Sequence, residues 1–449
     1  MITAKKAESI IEYAIDYAQG KAQGVELTIS SSDVSTSRFA NNCMTQNQSP
    51  DRTEVSIRLL KNGRQVRMSS DDLSPAAIDK LIDDALLATK HLEKDPNLLP
   101  LHAPPRNGYP NLKRYDKETA ELDASARAKA VSKIIKLAAS NNLSAAGTIS
   151  SGAHLLAIGN SKGLLAVHKQ TQAGCSVTMD KNGSTGWAKA EELSFDELDF
   201  AGLAERAAKT ALANRDPAEI SPGKYNVILE PAAFLDLIGY LSFDFSATSH
   251  LDKLSCFVGK IGKKVFGENI SITDDVGHPL QGGAPFDGEG LPRHSVTLVE
   301  NGVLKNVVAG RRSAAKMGIK ATGHGLPEPN AEGEVPVNLV FSGGSSSMED
   351  MIAGQERAVL LTRVWYIREV DPASKIVTGM TRDGCFLVEN GKRVSALKNL
   401  RFNQSLIELL NNVLDMGPSG RCAGGEEAGP SVVPAVLVKD FNFSSITTF

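Results

Sequence analysis

Five Asn-Gly pairs occur in this chain, and the four at positions 62–63, 182–183, 301–302 and 390–391 constrain its fold more than any other feature. A two-residue type I′ turn needs positive φ at both central residues, and Asn-Gly tolerates that best. Such a turn joins strands that run antiparallel, so it implies hairpins. Around the first pair the implication is strongest. Val55, Ile57 and Leu59 alternate before it, and Val66 and Met68 alternate after it, as in a hairpin with one apolar face. Lys181-Asn182-Gly183 and Asn160-Ser161-Lys162-Gly163 are turns within Leu143 to Trp187, a stretch rich in β-branched and small residues. Leu298-Val299-Glu300-Asn301-Gly302 and Leu387-Val388-Glu389-Asn390-Gly391 are two further hairpins built on the same turn.

Helical spacing fills the intervals. Ala7, Ile10, Ile11, Ala14, Ile15 and Ala18 form one stripe, capped by Thr3, and Gly24 to Ser31 then reads as a strand. Ser74 followed by Pro75 is a cap and first turn for a helix carrying Ile78, Ile82, Ala85 and Thr89. Val131, Ile134, Ile135 and Ala138 mark another, and 195–214 a further one. Residues 95–110 hold five prolines and read as an extended crossing segment. Arg215 to Lys224, with two prolines and a glycine, is the expected boundary between an N-terminal domain, 1–220, and a C-terminal one, 221–449. Beyond it come a strand, Tyr225 to Leu229, and a helix opening at Pro231. Ser346-Ser347-Met348-Glu349 reads as a capping box on a short helix ended by Gly354, and Asn403 as the cap of a late helix. Strand runs and separate helices imply an α+β fold, not a regular βαβ series.

Charge and composition exclude some functions. The net charge is −3 over 449 residues, and no basic stripe marks the chain as a nucleic-acid binder. No apolar run approaches the ~20 residues that span a bilayer, and the N-terminus lacks a signal-peptide layout. The five cysteines are scattered and odd in number. Reduced thiols in the cytoplasm are the expectation.

A helix-borne zinc peptidase site needs two histidines about one turn apart and a glutamate. None of the eight histidines lies three to five residues from another. Scattered ligands, for example His278, His294 and Cys422, remain as a zinc alternative beside ordinary surface or core histidines. Cys385, in Asp383-Gly384-Cys385-Phe386, reads as core, and Cys422 lies in a glycine-rich stretch, 417–429, with no base nearby in sequence. Ser342 to Ser347 runs from a strand into a helix without a P-loop lysine, so it reads as a turn and cap. Asp274-Asp275 and Asp287-Gly288-Glu289-Gly290 flank a glycine-rich loop. These carboxylates are either a metal or acid–base pair, or solvated loop groups.

Several blocks in the second half, in order and spacing, resemble the TldD/PmbA family, once labelled modulators of DNA gyrase. They include 287–293, 299–304, 312–318, Thr322-Gly323-His324, 348–354 and 378–384. The N-terminal half fits more loosely. The resemblance implies a two-domain TldD/PmbA-like fold, with an N-terminal helix and antiparallel-sheet domain and a C-terminal mixed β-rich domain. It also implies a two-part peptidase acting on unfolded peptides, held by strand pairing. TldD-type chains carry an H-E-x-x-x-H helix and a C-terminal cysteine that hold zinc. TldE/PmbA-type chains lack the helix motif and pair with the first.

Aligned to the family, the motif's first His, Glu and second His fall near Gly239, Tyr240 and Asp244, and Cys422 falls near the zinc cysteine. The chain is therefore expected to be TldE/PmbA-type and to bind no cofactor itself, with zinc on a TldD-like partner. Asp287, Glu289, Gly290 and His324 belong to family blocks and are expected at a peptide groove. A homodimer is the assembly expected without the partner. The rival readings are a self-sufficient metallopeptidase with unusual ligands and a non-enzymatic modulator of DNA gyrase.

Overall fold

The structure, a computed structural model, describes residues 1–426 and 429–447. Two positions of the glycine-rich stretch 417–429 and the last two of the 221–449 span lie outside the described residues.

The Asn-Gly pairs at 62–63, 182–183, 301–302 and 390–391 adopt positive φ at both residues, between 48° and 84°, as type I′ turns require, whereas in the fifth, Asn107-Gly108, only the glycine does. The turn at Asn62-Gly63 joins strands Arg52–Lys61 and Arg64–Ser70. That at Asn182-Gly183 joins Leu165–Lys181 to Ser184–Glu192. With Gly24–Ser32, Ser35–Ala40, Cys43–Gln48 and Ser144–Asn160 they build one eight-stranded sheet, antiparallel throughout. Ser144–Asn160 is its axis. It pairs along its length with Leu165–Lys181 on one edge. On the other edge it meets Ser35–Ala40 and Gly24–Ser32 end to end. Helices Ala4–Ala18 and Pro75–Ala88 cover one part of this sheet, and Ala124–Ser140 and Phe200–Ala213 another. The first three carry the apolar stripes that the spacing implied, and the fourth lies within the expected 195–214.

The strands of the second half form two further sheets. In one, Gly223–Leu229 pairs with both Arg357–Asp371 and Val436–Ile446. Leu400–Ser405 pairs with Val436–Ile446 and with Ile376–Glu389, and Ile376–Glu389 pairs back to Arg357–Asp371. These five strands therefore close into a ring. The other is a six-stranded sheet that includes Ile272–Asp274, Leu339–Phe341, Ser431–Val433 and Gly420–Cys422.

Helix Pro231–Ile238 follows the first ring strand and packs against Arg357–Asp371 on one side and Ser431–Val433 on another. Ala233, Phe234, Leu235, Leu237 and Ile238 are all at most 1% exposed. A short helix that is apolar but for Asp236 belongs in a core, and Phe234 meets Phe341 edge-on at 5.4 Å. The helix continues as a 3-10 segment, Gly239–Phe245.

Two caps differ from the sequence reading. The capping box pairs Ser347 with Asp350, one residue later than Ser346 with Glu349. Asn403 lies in a strand, and Ser405 caps the late helix, Leu406–Asn411. The crossing segment 95–110 contains no helix or strand and spans both halves. Tyr109 donates to the Gly290 carbonyl, and Arg311 donates to the Pro100 carbonyl.

Candidate functional site

A cleft of about 1060 Å³ opens where the Gly239–Phe245 segment meets strand Arg357–Asp371 and the extended residues 335–337. Gly239 and Tyr240 line it. Gly239 contributes no side chain. The Tyr240 hydroxyl donates to the Ile367 carbonyl at 2.7 Å, holding the 3-10 segment against the strand.

Asp244 lies beneath, 2% exposed. Its Oδ1 accepts from the Cys256 amide at 2.8 Å, and its carbonyl accepts from Ser255 Oγ. Its other oxygen is ion-paired with the Lys375 ammonium, which also meets Glu369 at 2.7 Å. Burial alone would lower the Lys375 pKa. The hydrogen bonds and charges of Asp244 and Glu369 outweigh it and hold the ammonium above its ordinary value.

A second carboxylate organises the opposite wall. Asp236, 1% exposed, accepts from the amides of Gly425 and Glu426 at 2.9 and 3.0 Å. Glu426 in turn accepts from the Tyr366 and Ile367 amides at 2.6 and 3.1 Å. Sequence reasoning missed Asp236, Glu369, Lys375 and Glu426. Asp236 sits on helix Pro231–Ile238, where an aspartate without its long-range partners carries no signal.

Asp287, Glu289, Gly290 and His324 lie elsewhere, all buried. Asp287 Oδ1 accepts from the amides of Glu289 and Leu291, and Oδ2 from that of Gly325, so it folds its own turn onto the next block. Burial pushes its carboxyl up. Glu289 faces the Arg58 and Arg311 guanidinia at 3.6 and 3.2 Å. His324 Nε2 lies 2.8 Å from Asp274 Oδ1, and Asp274 Oδ2 accepts from the Val337 and Asn338 amides. Asp274 is buried, which raises its pKa, but the bond from His324 and those backbone amides win and hold it below the usual range. This pair braces the 335–338 wall of the cleft from behind. Of the acidic-loop carboxylates, Asp274, Asp287 and Glu289 are thus buried braces and not solvated groups.

Two models of one family account for most of the chain. The PmbA/TldA metallopeptidase C-terminal domain matches residues 222–445, and the corresponding central domain matches 110–215. The chain belongs to the TldD/PmbA family. Among its relatives, metalloprotease PmbA of Escherichia coli O157:H7 is 24% identical over 97% of this chain and 96% of its own. A metalloprotease TldD homolog of Buchnera aphidicola is 30% identical over 50% of this chain and 47% of its own. The crystal structure of TldE from Thermococcus kodakarensis superposes with a TM-score of 0.86 at 20% identity, covering 98% of this chain and 100% of that one. That likeness is one of fold.

A metallopeptidase family implies a metal, and the residues at the positions where the sequence resemblance would put the zinc motif do not fit one. Gly239 has no donor. The Tyr240 hydroxyl is committed to a backbone carbonyl, and Asp244 to an ammonium. Cys422 is half-buried, and its thiol is pushed up to about 12 by burial and then by the Asp236 charge, so it is not a ready thiolate. Among the described residues no group of three or more His, Cys, Asp or Glu is placed to share an ion. His278, His294 and Cys422 accordingly do not converge. Cys385 is 1% exposed and packs in the ring's core. No helix is long and apolar enough to cross a membrane.

Proposed function

We propose that this chain is a TldE/PmbA-type subunit of a zinc-dependent peptidase complex acting on unfolded peptides, with hydrolysis performed by a TldD-like partner. One observation carries the reading. Where the resemblance places the partner's ligands and base, this chain has a glycine, a hydroxyl spent on the backbone and an aspartate neutralised by Lys375. A bound zinc would have to displace that ammonium from a buried carboxylate, and a buried charge left unpaired costs several kcal/mol.

What this chain supplies in the complex is a wall of the peptide chamber. The cleft is large enough for several residues of extended peptide, and Phe243, Val337 and Trp365 offer apolar contact along it. The complex is expected to work in the cytoplasm, and the chain without its partner to form a homodimer.

The test is reconstitution. The purified chain, alone and mixed with a TldD-like protein from the same genome, is assayed for zinc by elemental analysis and for cleavage of an unfolded peptide. Zinc on the partner only, with cleavage requiring both chains, is the expected result. Tight stoichiometric zinc on this chain that is lost in Cys422→Ser, or a mixture that cleaves no better than the partner alone, would overturn the reading.

A further inference from the structure

The ladder between Arg357–Asp371 and Ile376–Glu389 breaks its register between Trp365 and Arg368. Tyr366 and Ile367 therefore drop out of the sheet pairing. Tyr366 takes φ +55°, a conformation that a bulky residue rarely adopts, so its surroundings hold it there. Bulges of this kind redirect backbone groups beside functional sites. Here the two freed amides point the same way, at one carboxylate, that of Glu426. Successive backbone N–H groups converging on one anion form a nest, the arrangement used to capture terminal carboxylates.

The surroundings suit an anion. The Arg368 guanidinium lies 4.5 Å over the Tyr366 ring and donates to the Ile367 carbonyl. The buried Arg363, stacked between Trp187 and Trp365, adds a positive charge facing Glu426. Trp365, Arg368 and Glu426 all line the cleft, so a peptide lying there reaches this nest directly.

We propose that the Tyr366 and Ile367 amides form a carboxylate subsite that takes the free C-terminal carboxylate of a peptide, and that Glu426 fills it when no peptide is bound. The ligand class rests on the peptide-chamber reading above. The nest itself rests on its geometry. Glu426 is then an internal competitor. A peptide ending in a carboxylate exchanges with it one for one, an oxygen for each amide, whereas a peptide amide brings one accepting oxygen and no charge.

The test uses the full-length chain and an acetylated alanine pentapeptide, once with a free C-terminal carboxylate and once as its C-terminal amide. Binding is followed by tryptophan fluorescence. In Glu426→Ala the acid is expected to bind about tenfold more tightly than in the unaltered chain, the factor carried by one charge-assisted hydrogen bond. The amide is expected to show no gain. Glu426→Gln, which keeps the side chain's size while losing its charge, should show the same preference should the alanine form lose its fold. Equal affinity for acid and amide in both variants, or binding of neither, overturns the subsite and makes Glu426 a structural strut. A reconstituted mixture that cleaves nothing while the acid preference stands removes the subunit reading and leaves the subsite.

Discussion

His168 sits on strand Leu165–Lys181, 8% exposed, with its Nε2 buried and unbonded among the described residues. Burial, and then the nearby Arg114 guanidinium, lower its pKa to about 4 from the ordinary 6.5. The folded chain therefore resists a proton that the unfolded chain accepts. The stability His168 permits is fully present above pH 6.5 and is lost as pH falls toward 4, by roughly 3 kcal/mol in total. Urea midpoints between pH 7 and 4 should trace that decline, and His168→Gln should flatten it. An unchanged slope in the variant would assign the decline to other groups. At this scale the sequence was a poor guide. Asp287 and Glu289, set among glycines, look like solvent-facing loop residues, because glycine-rich acidic stretches usually are. Glu289 is buried against Arg58, far away in sequence, and Arg311, and Asp287 on the amides of Glu289, Leu291 and Gly325.

Glu334 ties two short helices together. It is fully buried and accepts from Ser246 Oγ and the Thr248 amide at the start of helix Ala247–Leu251. It also accepts from the Gly310 amide and Ser313 Oγ at the start of helix Arg311–Met317. Glu334→Ala should strand these donors in the interior at a cost of at least about 3 kcal/mol, at 1–3 kcal/mol per unsatisfied group. Denaturant unfolding measures this, and a loss under 1 kcal/mol would mean that water replaces the carboxylate. Elements themselves were largely legible. Apolar stripes located three helices of the first half, Ala4–Ala18, Pro75–Ala88 and Ala124–Ser140, the short helix Lys117–Ala120 was not foreseen, and Asn-Gly marked two of the hairpin turns. Strands Ser35–Ala40 and Cys43–Gln48 were not foreseen, since their turn is Asn41-Asn42, which reaches the same positive φ without a glycine. The displaced caps at Ser347 and Ser405 reflect neighbouring serines or asparagines that compete for one role.

The two halves meet through charges buried from water. Arg58, 2% exposed, lies 3.8 Å from Glu26 and 3.6 Å from Glu289, while Arg67 binds Glu26 at 2.8 Å and donates to the Glu328 carbonyl. Arg312 meets both Asp95 and Glu328. Arg58→Met should cost about 1–3 kcal/mol, because it removes one cation from each of two buried carboxylates and leaves Glu26 to Arg67 and Glu289 to Arg311. It should also speed proteolytic cutting within 95–110, and an unaltered cleavage rate would show that the halves are held by other contacts. None of this long-range pairing could be read from local pattern, and the five-strand ring is the extreme case. Its first strand, Gly223–Leu229, takes one neighbour from Arg357–Asp371 and the other from Val436–Ile446, which leaves the ribosome after every other strand of the ring. During synthesis that strand and the apolar helix behind it must wait half-paired. Assembly of the ring is therefore a late, slow event in which chaperone occupancy has its longest opportunity.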